Sequence, residues 1–168
     1  AARHGKRVIG SDELEEGIMR VIAGPEKKSR LLSEKERKVT AFHEMGHALV
    51  GHFLPNANPV HKISVIARGQ ALGVTVSMPT EDKFTTTKAE FEDQMAMLLG
   101  GRTAEELVFS EITTGASNDL ERVTSIAKSM TMRFGMSEKL GPRVLGHNHG
   151  APFLGRDMHS EPDYSEEM

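Results

Sequence analysis

Residues 43–47 read His43-Glu44-Met45-Gly46-His47, an HExxH pattern. On a helix, positions four apart share a face, so both imidazoles can address one metal ion. Glu44 projects from the same turn and can reach a water in the ion's open position. Two nitrogen ligands, an acid beside an activated water and a third ligand from elsewhere make up a zinc hydrolase site. The pattern is short, so the elements around it have to support it.

They predict a helix. Ser33 with Glu36 three residues later is a capping-box signature, and Lys35-Glu36-Arg37-Lys38 is good helix-forming sequence. Val39, Phe42, Leu49, Val50 and Phe53 continue at helical spacing until Pro55. Gly46 and Gly51 each cost about 1 kcal/mol relative to Ala inside such a helix. Gly46 reads equally as space beside a metal or as close helix packing.

The third ligand is less plain. The HExxHxxGxxH variant fails, because Val50 and Phe53 stand at its Gly and His places. His52 lies about 180° around the helix from His43 and about 140° from His47, so it reads as a surface or packing residue. The first acid after His47 is Glu81, beyond two expected strands. Asp119, in the first turn of the last helix and on its apolar side, is the better candidate; complementing the helix dipole is its alternative role. His147, His149 and His159 lie in an irregular tail without a frame to hold an ion.

Around these residues the sequence predicts helices over 11–23, 88–109 and 118–134, and strands over 61–66 and 72–78. Residues 26–32 read as a polar connector. On the 88–109 helix, Arg102, Glu105 and Glu106 share a side with Phe91, Met95 and Leu98. Charges on an apolar face need partners, and an Arg–Glu pair is the expected arrangement, bordering a site the alternative. The fold class is mainly α with a small β element.

Composition bounds the rest. There are 168 residues, 38 % hydrophobic and 27 % charged, with no run near the ~20 apolar residues of a membrane span. No cysteine is present, so thiolate zinc sites and disulfides are excluded. A formal charge of −3, no Trp and one Tyr give no footing for nucleic acid.

Six blocks carry a resemblance: Phe42 to Val50, Pro59 to Lys62, Arg68 to Gly73, Leu99 to Arg102, Ala104 to Glu106, and Thr113 to Asp119. In this order they resemble the FtsH-type ATP-dependent zinc metalloproteases. Residues 1–24 look like the end of that family's AAA+ lid subdomain, 25–35 its linker, and 36–168 its peptidase domain, truncated at the C-terminus. The resemblance implies one zinc per chain on His43, His47 and Asp119, with Glu44 as catalytic acid/base. It implies a substrate strand along Gly69, Gln70, Ala71, Leu72, Gly73 and Val74, paired with unfolded or membrane proteins by strand addition. It also implies a parent that is a homohexamer at the cytoplasmic face of the inner membrane, with ATP and Mg²⁺ bound outside these residues. The piece itself is expected to be soluble, its membrane segments lying elsewhere. Met45 departs from the family's usual Ala and needs space. A non-proteolytic chaperone or assembly module keeping the fold, or an inactive fragment, are the alternatives.

Overall fold

The computed structural model describes residues 5–27, 32–69 and 71–146. Along them run helix α1 (Ser11–Ile22), helix α2 (Glu34–Phe53), strand β1 (Val60–Ser64), strand β2 (Val74–Ser77), helix α3 (Lys88–Phe109), a 3-10 turn (Thr114–Ala116) and helix α4 (Ser117–Met132). The chain is mainly helical with one small sheet, as its patterning predicts.

Both long helices start where local chemistry dictates. The Ser33 hydroxyl accepts from the Glu36 amide, and the Glu36 carboxylate accepts from the Ser33 amide at 2.9 Å. Thr87 and Glu90 repeat the device on α3, with the return bond at 2.7 Å. Each box satisfies two amides that a helix start leaves open, worth about 1 kcal/mol. At the other end of α4, Gly135 turns left-handed (φ 60°) and the Met136 amide donates back to Met130 O, which closes the helix.

Helices α2 and α3 form the backbone of the molecule, and glycine sets their distance. A Cβ on Gly46 would lie 2.3 Å from the Gly100 carbonyl oxygen, and one on Gly100 would lie 2.7 Å from that of Gly46. The two main chains therefore touch, and any side chain at either position drives them apart. Of the two readings of Gly46, helix packing is the one observed. Met45 needs no interior space: it is 45 % exposed.

β1 and β2 pair antiparallel, with Ser64 opposite Val74, Ile63 opposite Thr75 and Lys62 opposite Val76. An irregularity between Val60 and Lys62 places Val60 opposite Ser77. Both strands are shorter than their apolar patterns predict. The chain leaves the ladder after Ser64 because the 67–71 segment bonds elsewhere. Lys27 N donates to Ala67 O and Gly69 N to Pro25 O, while Arg68 and Ala71 exchange amide bonds in a tight turn. Arg68, only 5 % exposed, sits between Glu16 of α1 (2.8 Å) and Glu26 (2.6 Å). With the Lys62–Glu15 pair it fastens α1 to the sheet. No helix among the described residues is long and apolar enough to cross a membrane.

Candidate metal centre

Helix α2 presents His43 and His47 one turn apart on its buried side, and α4 brings Asp119 to them from its first turn. Three donor atoms converge. His43 Nε2 and His47 Nε2 are 3.0 Å apart, and Asp119 Oδ2 lies 3.3 and 3.4 Å from them. These are the described residues that can hold a metal ion together.

The far sides of the rings fix what the near sides can do. His47 Nδ1 lies 2.8 Å from the Met97 carbonyl oxygen, which can only accept, so Nδ1 carries the proton. His43 Nδ1 lies 2.7 Å from Glu105 Oε1 and by the same logic donates to the carboxylate. Both Nε2 atoms then carry lone pairs directed into the gap. Two lone pairs and a carboxylate oxygen facing one another across 3.0–3.4 Å repel unless a cation sits among them. The spacing suits a small ion. Donors held tetrahedrally at about 2.0–2.1 Å stand about 3.3 Å from each other.

Protonation equilibria respond to the same crowding. Burial pulls His43 down, yet the Asp119 and Glu105 carboxylates outweigh it and hold the imidazole above its ordinary value. Burial pushes Asp119 up, but its bonds to His43 and His47 win and hold it well below the usual carboxylate range. Where no metal is bound, a proton is the cation that this pocket collects.

Glu105 is 1 % exposed and uses both oxygens: Oε1 accepts from His43 Nδ1–H, and Oε2 accepts from the Thr113 amide at 2.9 Å. The Arg–Glu pair expected on this face does not use Glu105, which pairs with His43 instead, and that face of α3 borders the site. Orienting a ligand imidazole through its second nitrogen is a recurrent feature of metal sites. Gly101 provides the room. A Cβ there would lie 2.6 Å from His43 Cε1 and 2.6 Å from His47 Nε2.

Glu44 sits beside the two rings under β2. Thr75 Oγ1 donates to Glu44 Oε2 at 2.6 Å, and a Cβ on Gly73 would meet Oε1 at 2.7 Å. Burial pushes the Glu44 carboxyl above its ordinary value, and the Thr75 bond and both imidazoles pull it back only in part.

All of this opens into one cleft of about 1270 Å³, floored by α2 and bordered by β2 and the start of α4. Beyond a local motif and an ion pocket, the chain has recognisable kin. Residues 30–168 match the profile of peptidase family M41. The chain belongs to that family. It is 71 % identical over its whole length to the ATP-dependent zinc metalloprotease FtsH 1 of Conexibacter woesei, of which it covers 26 %. Two proteins named ATP-dependent zinc metalloprotease FtsH, from Rubrobacter xylanophilus and Kosmotoga olearia, are 59 % and 55 % identical, again with 26 % of each covered. The chain thus spans about a quarter of the length of the curated relatives it matches.

Within this M41 peptidase chain, His43, Glu44, His47 and Asp119 are brought together as described. Of the strand residues singled out for substrate, Ala71, Leu72, Gly73 and Val74 line the cleft. Gly69 faces the other way, where a Cβ would lie 2.9 Å from Ala23 O. Gln70 lies outside the described residues, as do His147, His149 and His159. His52 is exposed and its ring packs on Phe53. Sequence reasoning missed Gly101, Glu105 as a partner of His43, and Thr75. The one available sign was thermodynamic: Gly100-Gly101 in mid-helix costs about 2 kcal/mol in propensity, a loss that requires a packing or functional return.

Proposed function

We propose that this chain is the zinc endopeptidase part of an ATP-driven protease, with His43, His47 and Asp119 as zinc ligands and Glu44 as general base. The observation that carries the reading is the convergence of three potential ligand atoms within 3.4 Å beside a buried carboxylate. Zinc is preferred because its ordinary donor set is imidazole and carboxylate and no thiolate is available. The names of the relatives, zinc metalloproteases, agree with that choice.

Zinc, when bound, polarises a peptide carbonyl and lowers the pKa of its water towards neutrality. Everything else is done by the chain. Glu44, made more basic by burial, takes a proton from the attacking water and hands it to the leaving amine nitrogen. Glu105 and the Met97 carbonyl keep both imidazoles in the tautomer that leaves Nε2 free. β2 is paired on one edge by β1, and an extended peptide can add along Ala71 to Val74 at the cleft. Main-chain pairing gives affinity with broad sequence tolerance, which suits unfolded or membrane proteins as substrates. The hexamer, the membrane anchor facing the cytoplasm and the ATP/Mg²⁺ site belong to this proposal as properties of the parent protein. Residues 1–24 are assigned to the end of its AAA+ lid.

Native mass spectrometry of the protein against Asp119→Ala and Glu44→Gln tests the assignment. One zinc per chain is expected in the starting protein and in Glu44→Gln, with loss or weakening in Asp119→Ala. Cleavage of an unfolded polypeptide is expected to fall about 10²- to 10⁴-fold in Glu44→Gln. Undiminished cleavage by that variant refutes the role of Glu44.

A further inference from the structure

Thr75 stands 31 residues from Glu44 in the sequence and is not one of the three residues that converge on the metal pocket. Its hydroxyl nevertheless meets Glu44 twice, at 2.6 Å from the carboxylate Oε2 and at 3.0 Å from the backbone carbonyl oxygen. A hydroxyl has one proton to give. The shorter, charge-assisted contact receives it, and the 3.0 Å distance to the carbonyl oxygen marks how closely the hydroxyl sits over the turn of α2. Two residues earlier on the same chain segment, the Gly73 backbone bounds the other side of the carboxylate: a Cβ there would lie 2.7 Å from Oε1 and 2.8 Å from Cγ. One oxygen is held by a bond, and the other is confined by main chain.

A glutamate projecting from a helix otherwise samples several staggered rotamers about its torsions. Here the opposing strand selects one. Oε2 is committed to Thr75, which leaves Oε1, bonded to no described residue, as the oxygen free to carry a proton.

We propose that Thr75 is the positioning residue of the general base: its hydroxyl holds the Glu44 carboxylate in its working rotamer and assigns proton transfer to Oε1. This rests on the zinc-peptidase reading above, and it adds a consequence. The segment that offers its edge to the peptide also aims the group that cleaves it, so strand and base are set by one piece of backbone. A peptide seated along Ala71 to Val74 adjoins Thr75 directly, and any displacement of β2 is transmitted to the base through a single hydrogen bond.

The test uses full-length, zinc-loaded protein and an unfolded polypeptide carrying a fluorescence-quenched pair. Thr75→Val keeps the shape and removes the hydroxyl, Thr75→Ala removes hydroxyl and methyl, and Thr75→Ser keeps the hydroxyl alone. Because complete loss of a general base costs about 10²- to 10⁴-fold, misaiming it is expected to lower kcat about ten- to a hundred-fold in the valine and alanine variants. KM is expected to stay within about three-fold, as it does when an interaction acts only in the transition state. Thr75→Ser is expected to recover kcat to within about three-fold of the starting protein. The alanine variant carries the comparison if the valine protein loses its zinc or its cooperative melt. Valine and alanine variants with undiminished kcat, a serine variant as slow as alanine, or a loss confined to KM would each overturn the proposal. The underlying reading fails separately, through zinc-independent cleavage by the starting protein or full activity of Glu44→Gln.

Discussion

Gly101→Ala adds one methyl group where the two imidazoles need open space. Its Cβ would lie 2.6 Å from His43 Cε1, 2.6 Å from His47 Nε2 and 2.7 Å from His43 Nε2. To reach the roughly 3.5 Å of ordinary carbon contact, each ring has to withdraw by about 0.9 Å. Ligand distances tolerate only about 0.2 Å. Neither ring can retreat freely, since Glu105 holds one at 2.7 Å and the Met97 carbonyl holds the other at 2.8 Å. Loss of a supporting bond around a ligand already costs about 10- to 100-fold in metal affinity. Displacement of the ligands themselves is expected to reach at least the upper end, about 100-fold. That corresponds to about 2.7 kcal/mol less stabilisation at saturating zinc, in line with the 1–3 kcal/mol of an overpacked core.

The metal-free protein is expected to behave differently. There each ring can turn away only by straining its rotamer, at about 1 kcal/mol, and by loosening its bond to Glu105 or Met97, at about 1 kcal/mol more, while the Gly-to-Ala gain in helix propensity returns about 1 kcal/mol. The net loss of about 3 kcal/mol is expected to lower the metal-free melt by about 6–12 °C, whatever happens to zinc affinity. Zinc titration against a chromophoric chelator, with melts taken with and without zinc, separates the two effects. Gly17→Ala on α1 is the control: a Cβ there meets nothing within 4 Å, so it is expected to stabilise slightly and leave zinc affinity unchanged. A Gly101→Ala protein that binds zinc like the starting protein refutes the packing argument.

Two further outcomes follow from the hydrogen bonds. Glu105→Gln keeps an acceptor for His43 but turns an amide N–H₂ towards the Thr113 N–H. Zinc affinity is expected to drop about 10- to 100-fold by chelator competition, and an unchanged affinity would remove Glu105 from the site. The Glu90 carboxyl, bonded first to Lys83 and then to the Thr87 amide and hydroxyl, is held at about 2 in the folded chain against an ordinary value of 4.5. A depressed folded value means that its contribution is complete above the ordinary value and disappears as pH falls from 4.5 towards about 2. The melting difference between metal-free starting protein and Glu90→Gln is therefore expected to be constant near neutrality and to vanish in that acid window. A difference that persists at pH 2 would show that the carboxylate charge is not what matters.

Much of this architecture is legible in local sequence. Ser33 with Glu36 and Thr87 with Glu90 mark two helix starts, because a capping box is a contact between residues three apart. HExxH works in the same way, over one turn. Asp119 stood out as a candidate from its place in a first turn and its inward side, with the helix dipole as its alternative role, and the family resemblance made the choice. What could not be read are contacts made across elements. Periodicity identifies Glu105 as a charge on an apolar face but cannot choose between Arg102, one turn away on the same helix, and His43, 62 residues distant. Thr75 looks like any outward residue of an alternating strand until α2 is placed beneath it. The strand ends failed for a related reason: Val65 and Ile66 continue the apolar pattern, yet just beyond them the Ala67 carbonyl accepts from Lys27 N, the Gly69 amide donates to Pro25 O and the Arg68 amide donates to Ala71 O.

Glu105 has a kinetic meaning as well. Its Oε1 holds a residue of α2, while its Oε2 holds Thr113 at the entry to the turn that leads into α4. The Gly46–Gly100 contact locks α2 to α3, so the two histidines and the wall behind them move as one body. Asp119 comes from α4, beyond the Glu105–Thr113 bond. That bond is thus one tie between the two imidazoles and the carboxylate that completes the pocket, and slow hydrogen exchange at the Thr113 N–H is expected while it stays closed.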